Sequence, residues 1–126
     1  SPNDQERREN GVSISWLHHK GRNRHHFEYW IDYRIAPDGT VPMGGCKMPK
    51  RYVAEMFCDR IAACRVYQGD KYTDASAYDY IQHSKGSIWF HEETYALIER
   101  WLLLLKEEGE ERAFARIREE LKDPDY

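Results

Sequence analysis

The sequence predicts a mainly α-helical, small single-domain bundle interrupted by one long proline- and glycine-rich loop. Three observations predict it. Behind the loop, apolar residues recur every three and four positions, the period of a helix with one buried face. These periodic stretches are bounded by helix-starting and helix-stopping residues, with proline or a small polar residue in front and glycine or proline behind. The 126 residues, 40% hydrophobic and 33% charged, are enough for one domain with a buried core.

Taken in order, "SPNDQERREN" and the two residues after it are polar and lack periodicity. Residues 1–12 therefore read as a flexible lead-in, and residues 13–126 as a single helical domain. "SISWLHHK" suits a short helix with Ile14, Leu17 and one histidine on a common side, interrupted by Gly21 and Asn23. In "RHHFEYWIDYR", Phe27, Trp30 and Ile31 have helical spacing, whereas Tyr29, Ile31 and Tyr33 alternate as a strand would; a helical start is preferred. "IAPDGTVPMGGCKMP" carries three prolines and three glycines in fifteen residues. Its "PDGT" is a turn by mechanism, since proline presets one dihedral and glycine supplies the positive one, so the loop can close as a short hairpin.

Pro49 opens the strongest helix, "PKRYVAEMFCDRIAACRVYQG". Val53, Met56, Phe57, Ile61 and Cys64 form its core stripe, Cys58 is also expected inside, and Gly69 marks the exit. "TDASAYDYIQHSKG" is a shorter helix that Asp74 can cap. "HEETYALIERWLLLLKEEG" points Ile98, Trp101, Leu102 and Leu105 inward and stops at Gly109. "EERAFARIREELKD" points Phe114, Ile117 and Leu121 inward before Pro124.

Composition excludes several classes. The net charge is −3, so no global field attracts nucleic acid, and "KGRNRHH" is too short for an extended nucleic-acid surface although it can meet one phosphate. The longest strongly apolar run, "WLLLL", is far below membrane-spanning length, which argues against a membrane partner. No signal peptide is visible. Cys46, Cys58 and Cys64 form no paired motif, so reduced thiols and a cytoplasmic location are expected. A phosphate-binding loop, a dinucleotide turn and a nucleophile elbow are all missing.

The chemistry concentrates in "HHKGRNRHHFEYW", which holds four of the six histidines within nine residues. His18 and His25, like His19 and His26, stand seven apart, so one unbroken helix would stack each pair on a face. Glu28 follows His25 by three. Behind the loop, Glu55 and Asp59 are four apart on one helix face, where two like charges repel unless a cation lies between them. His19, His25, His26 and Asp59 are the candidate metal ligands, with Glu55 and Glu28 as the neighbouring carboxylates. Imidazole and carboxylate without paired cysteines suit a divalent Mn, Fe, Ni, Co or Zn ion rather than a structural zinc finger. The plainer alternative is a solvated acidic face beside Arg51 and Arg60, and histidines at an exposed helix end. Tyr29, Trp30, Tyr33, Tyr52 and Tyr67 are core or a hydrogen-bonded wall before they are a stacking platform. His83 and His91 read as helix-end residues.

The blocks "N-x-HH-x-E-Y-W" and "E-M-x-C-D-x-x-A-A", with the "KMP" loop between them, resemble a family of small helical bacterial and phage proteins, DUF5662, over about residues 13–118. That family looks distantly similar to HD-type metal phosphohydrolases, helical bundles in which histidines and a final aspartate surround one or two metals. The resemblance implies that His18 or His19, His25 and His26 match the later histidines and Asp59 the final aspartate. No His-Asp dyad occurs in the chain; longer members carry one in an N-terminal segment, so half the site is expected to be missing or rebuilt.

The resulting expectation is a metal-dependent phosphohydrolase-like protein acting on a nucleotide or other small phosphoester. Arg22 and Arg24 would bind phosphate, and Glu28 and Glu55 would act as catalytic carboxylates. The alternative is a non-catalytic phage or bacterial interaction module that binds a host protein through the 35–49 loop. Iron-based redox chemistry uses the same ligand types and is a third, weaker reading. Oligomeric state stays open.

Overall fold

The computed structural model describes residues 1–126. Its helices are α1 (Pro2–Asn10), α2 (Ile14–Arg22), α3 (Lys50–Gln68), α4 (Ser76–Ile81), α5 (Glu92–Glu108) and α6 (Glu110–Glu120), and its strands are β1 (Ile31–Tyr33) and β2 (Met43–Gly45). The fold class is mainly α, as the periodicity predicts.

The core lies where α3, α4, α5 and α6 meet. Val53, Phe57, Ile81, Ile98, Trp101, Leu102 and Leu105 are fully buried. Phe57 meets the rings of Trp101 and Phe114 edge to face, at centroid distances of 6.4 and 5.7 Å, the arrangement that the ring quadrupole favours. All five residues of the expected α3 stripe are buried, and all four of the α5 stripe. Gly109 separates α5 from α6 with a φ of 87°, a conformation that costs glycine little and other residues more.

Several local expectations are corrected. Cys58 is exposed, because its position falls off the 53–57–61–64 stripe and on the outer side of α3. Leu121 lies past the end of α6 and is exposed, and Ala113 takes an inward position instead. Asp74 does not cap α4; the Ser76 hydroxyl accepts from the Thr73 amide at 2.9 Å and the Thr73 hydroxyl from the Ala75 amide at 3.2 Å. The short helix expected from Ile14 forms as α2, and the side shared by Ile14 and Leu17 is exposed. Residues 2–10 form a helix, capped by the Ser1 hydroxyl, that buries none of its own residues. Phe27–Tyr29 make one 3-10 turn, and the strand alternative holds for Ile31–Tyr33.

The 35–49 loop does close as a hairpin. β1 and β2 pair antiparallel with Ile31 opposite Gly45 and Tyr33 opposite Met43. Gly45 is required by space: a Cβ there would stand 2.5 Å from the Trp89 carbonyl oxygen, so the hairpin can lie against the segment before α5 only without a side chain.

Lys50 and the C-terminus tie the bundle shut. Lys50 opens α3 yet is 7% exposed. Its ammonium donates to the carbonyls of Glu120, Asp123 and Asp125 at 2.6, 2.9 and 3.2 Å. These acceptors lie at and beyond the end of α6, where the helix dipole also favours a cation; the Glu120 carbonyl accepts from the Asp123 amide as well, at 3.2 Å.

Candidate metal centre

The histidine segment is placed by a chain reversal rather than by one long helix. α2 starts at buried Ser13, whose hydroxyl accepts from the Trp16 amide at 3.0 Å. Glu6 of α1 adds a second cap, accepting from the Ile14 amide at 2.7 Å and from the Ser13 hydroxyl at 3.2 Å. At the other end Asn23 donates its side-chain amide to the His19 carbonyl at 2.6 Å, and the His26 amide donates to the Asn23 carbonyl at 3.2 Å. Asx side chains make such local bonds readily, which stops helices. The unbroken helix expected for the two seven-residue pairs is therefore absent. The turn nevertheless brings His19 and His26 together, with Nε2 atoms 3.0 Å apart. His18 stays exposed on α2.

The segment is then pinned to the bundle. Phe27 stacks on Phe90 with centroids 4.2 Å apart and planes 14° from parallel. The Trp30 indole donates to the Arg24 carbonyl at 2.7 Å. Between these anchors and α3, the two adjacent histidines meet the acidic face of the helix.

His25, His26 and Asp59 each offer one ligand atom, and the three atoms lie within 4.8 Å of one another. His25 Nε2 is 3.8 Å from Asp59 Oδ1, and His25 Nδ1 is 3.9 Å from Glu55 Oε2. These gaps exceed a hydrogen bond. Donors held about 2.1 Å from a shared ion stand roughly 3–4 Å from each other; the His25–Asp59 gap lies in that range, and the 4.8 Å span of the three would contract around an ion. The imidazole pair is compact, with His25 and His26 centroids 4.4 Å apart and Trp16 edge-on to His26 at 4.9 Å.

Burial pushes the pKa of His26 down to about 4, and the neighbouring His25, His19 and Arg60 add to the effect while Asp59 opposes it. At neutral pH this imidazole is unprotonated and has a lone pair available, the form that binds metals.

Other residues named from the sequence divide. His19 touches His26 but lies outside the tight group of three. Glu28 lines the same groove as His26 and Asp59. Glu55 faces His25 from the exposed side of α3. Arg22 and Arg24 do not line that groove; the Arg24 guanidinium lies 5.9 Å from the Tyr29 ring and meets the Tyr52 hydroxyl. His91 caps α5, accepting at Nδ1 from the Glu93 amide at 3.1 Å, and His83 sits exposed on a 3-10 turn.

Sequence reasoning missed Trp16 as a wall of the cluster, although its place three residues before His19 on one helix was a signal. It also missed α1, whose Asn3, Asp4 and Arg7 line the groove. No apolar pattern in α1 pointed there.

A family model described as "Family of unknown function (DUF5662)" matches residues 1–104, from α1 into α5, and so spans every residue of the cluster. No curated protein and no solved structure matches the chain.

Proposed function

We propose, for a chain that belongs to the DUF5662 family of unknown function, that His25, His26 and Asp59 hold a divalent metal ion and that the site is phosphohydrolase-like. His19 and Glu55 would stand beside this set. The observation that carries the reading is the convergence of two adjacent imidazoles from one segment and a carboxylate from another within 4.8 Å. The low pKa of His26 supports it.

A bound divalent ion of the Mn, Fe, Ni, Co or Zn type would supply Lewis acidity and a water of lowered pKa. The chain's own residues have separate tasks. Glu28, which lines the groove with His26, would accept a proton from an attacking water. Asp59 offsets the positive charge near the imidazoles. Trp16, against the His19 and His26 rings, limits water beside them, which strengthens each electrostatic contact. A nucleotide or other small phosphoester fits these roles. The HD-like relation remains part of this reading, with Asp59 in the place of the final aspartate of such sites.

Metal-stripped protein should gain melting temperature with Mn, Ni or Zn, and the gain should vanish in Asp59→Asn and His26→Ala. Phosphate release from a panel of phosphomonoesters should need the same residues. A protein that purifies without metal and gains nothing on loading overturns the proposal.

A second reading is favoured by a different surface. Ile35, Val41 and Met43 on the hairpin, with Ile88 and Trp89 opposite, are exposed large apolar side chains. Of these, Ile35, Met43 and Ile88 line a groove of about 690 Å³ that the hairpin forms with the segment before α5. Such a patch suits a bacterial or phage interaction module that contacts a host protein. Substitution of Ile35 and Met43 by serine should abolish that role and leave metal uptake intact.

A further inference from the structure

A second feature stands beside the cluster. A groove of about 700 Å³ runs along α3, a volume within the range of small-molecule sites. Its α3 wall is built from successive turns of one face: Asp59 and Arg60, then Ala63 and Cys64, then Tyr67 and Gln68. From Asp59 to Tyr67 this wall is about 12 Å long at 1.5 Å per residue. Ala63 keeps its middle low.

Arg60 is the unpaired cation in this groove. It is half-buried, yet it forms no ion pair and no hydrogen bond, although Asp59 is its neighbour in sequence. Its guanidinium lies near the rings of both Phe27 and Tyr80, 5.9 Å from each centroid. The rings steady the cation from the side and leave its fork of five N–H donors unused. Such a fork matches the oxygens of a phosphate, which it can bind in bidentate fashion. Arg7 lines the groove too, but Asp4 already occupies it at 2.7 Å.

We infer that Arg60, rather than Arg22 or Arg24, is the anion-binding residue of this groove, and that it holds the phosphate of a small organic phosphate whose organic part extends along α3 toward Tyr67 and Gln68. The inference deepens the hydrolase reading and rests on it for chemistry, but not for binding. Asp59 and Glu28 repel a bare anion, so the guanidinium has to outweigh them. Without metal the binding is weak and depends on Arg60; with metal it tightens.

The test uses inorganic phosphate and phenyl phosphate, titrated with and without Mn2+ and followed through the Arg60 side-chain Nε–Hε resonance in the unsubstituted protein. Both ligands should shift that resonance. Arg60→Gln should weaken phosphate at least tenfold and leave Mn2+ affinity within about twofold, and Arg24→Gln should change neither. Tyr67→Ala should weaken phenyl phosphate and spare inorganic phosphate. An unshifted Arg60 resonance, or phosphate affinity untouched by Arg60→Gln, overturns the inference even where Mn2+ binds. Arg60-dependent phosphate binding in a protein that takes up no metal sustains it and removes the metal reading instead. The resonance is read without substitution, so a misfolded variant does not blunt the test.

Discussion

The α3–α6 bundle and the α1–α2 layer over the histidines are held together by different physics. The bundle buries a Trp, two Phe and a set of Leu, Ile and Met side chains completely or nearly so, and burial of such groups contributes about 1.5–3 kcal/mol each. The α1 and α2 helices bury none of their own residues. Their positions depend on Glu6 and Ser13 at one end of α2, Asn23 at the other, and the ring contacts of Trp16. Polar contacts of this kind are worth about 1 kcal/mol apiece. Stability therefore resides in one region and the candidate chemistry at its border with the other, the usual division between a scaffold and the segments that bind ligands.

The largest effect should come from the scaffold. Trp101→Ala removes a fully buried indole that Phe57 meets edge to face and should cost about 3–5 kcal/mol, read from the denaturant midpoint. A loss under 1 kcal/mol would mean that the core is not where the stability lies. Next comes metal, which acts on the border. A ligand at a hundred times its dissociation constant stabilises by about 2.7 kcal/mol, so thermal unfolding with Mn2+ should move upward in the wild type and not in Asp59→Asn. Lys50→Met should follow, since it takes the ammonium donor from the Asp123 and Asp125 carbonyls and leaves the Glu120 carbonyl with the Asp123 amide alone. A loss of about 1.5–3 kcal/mol is expected, with metal affinity unchanged.

The fourth effect is a pH dependence. Folded His26 has a pKa of about 4, against an ordinary 6.5. Below 6.5 the unfolded chain takes up this proton before the folded one does, so stability should fall as the pH drops from 6.5 toward 4 and be full above that window. His26→Gln should flatten that part of the profile; an unchanged slope would place the titration elsewhere. The smallest effect is Glu6→Ala. It frees α1 from the start of α2 and should speed amide exchange at Ile14 and Trp16 with about 1 kcal/mol or less lost, leaving global unfolding nearly untouched.

The same division explains what could be read from the sequence. Val53, Met56, Phe57, Ile61 and Cys64 announce a buried face because burial repeats with the helix. Pro49, Gly69 and Gly109 mark ends because their dihedrals are constrained. The acidic pair Glu55 and Asp59 was legible for the same reason, since helical spacing fixes which face they share. The meeting of His25 and His26 with that face was expected from chemistry, not geometry. Its route, through the Asn23 reversal, was not readable because one side-chain amide decides where α2 stops. Arg60 was visible as a neighbouring cation, but only the folded arrangement shows that it meets the Phe27 and Tyr80 rings and pairs with no carboxylate. α1 gave no apolar signal at all, since Glu6 and Ser1 hold it by hydrogen bonds.

The most direct measurement is a crystal structure of the protein soaked in Mn2+, with anomalous data collected near the manganese absorption edge. The account predicts one strong peak bounded by His25, His26 and Asp59, with Glu55 or His19 nearby. A peak lying only elsewhere, or full Mn2+ occupancy that survives Asp59→Asn with His26→Ala, would contradict it.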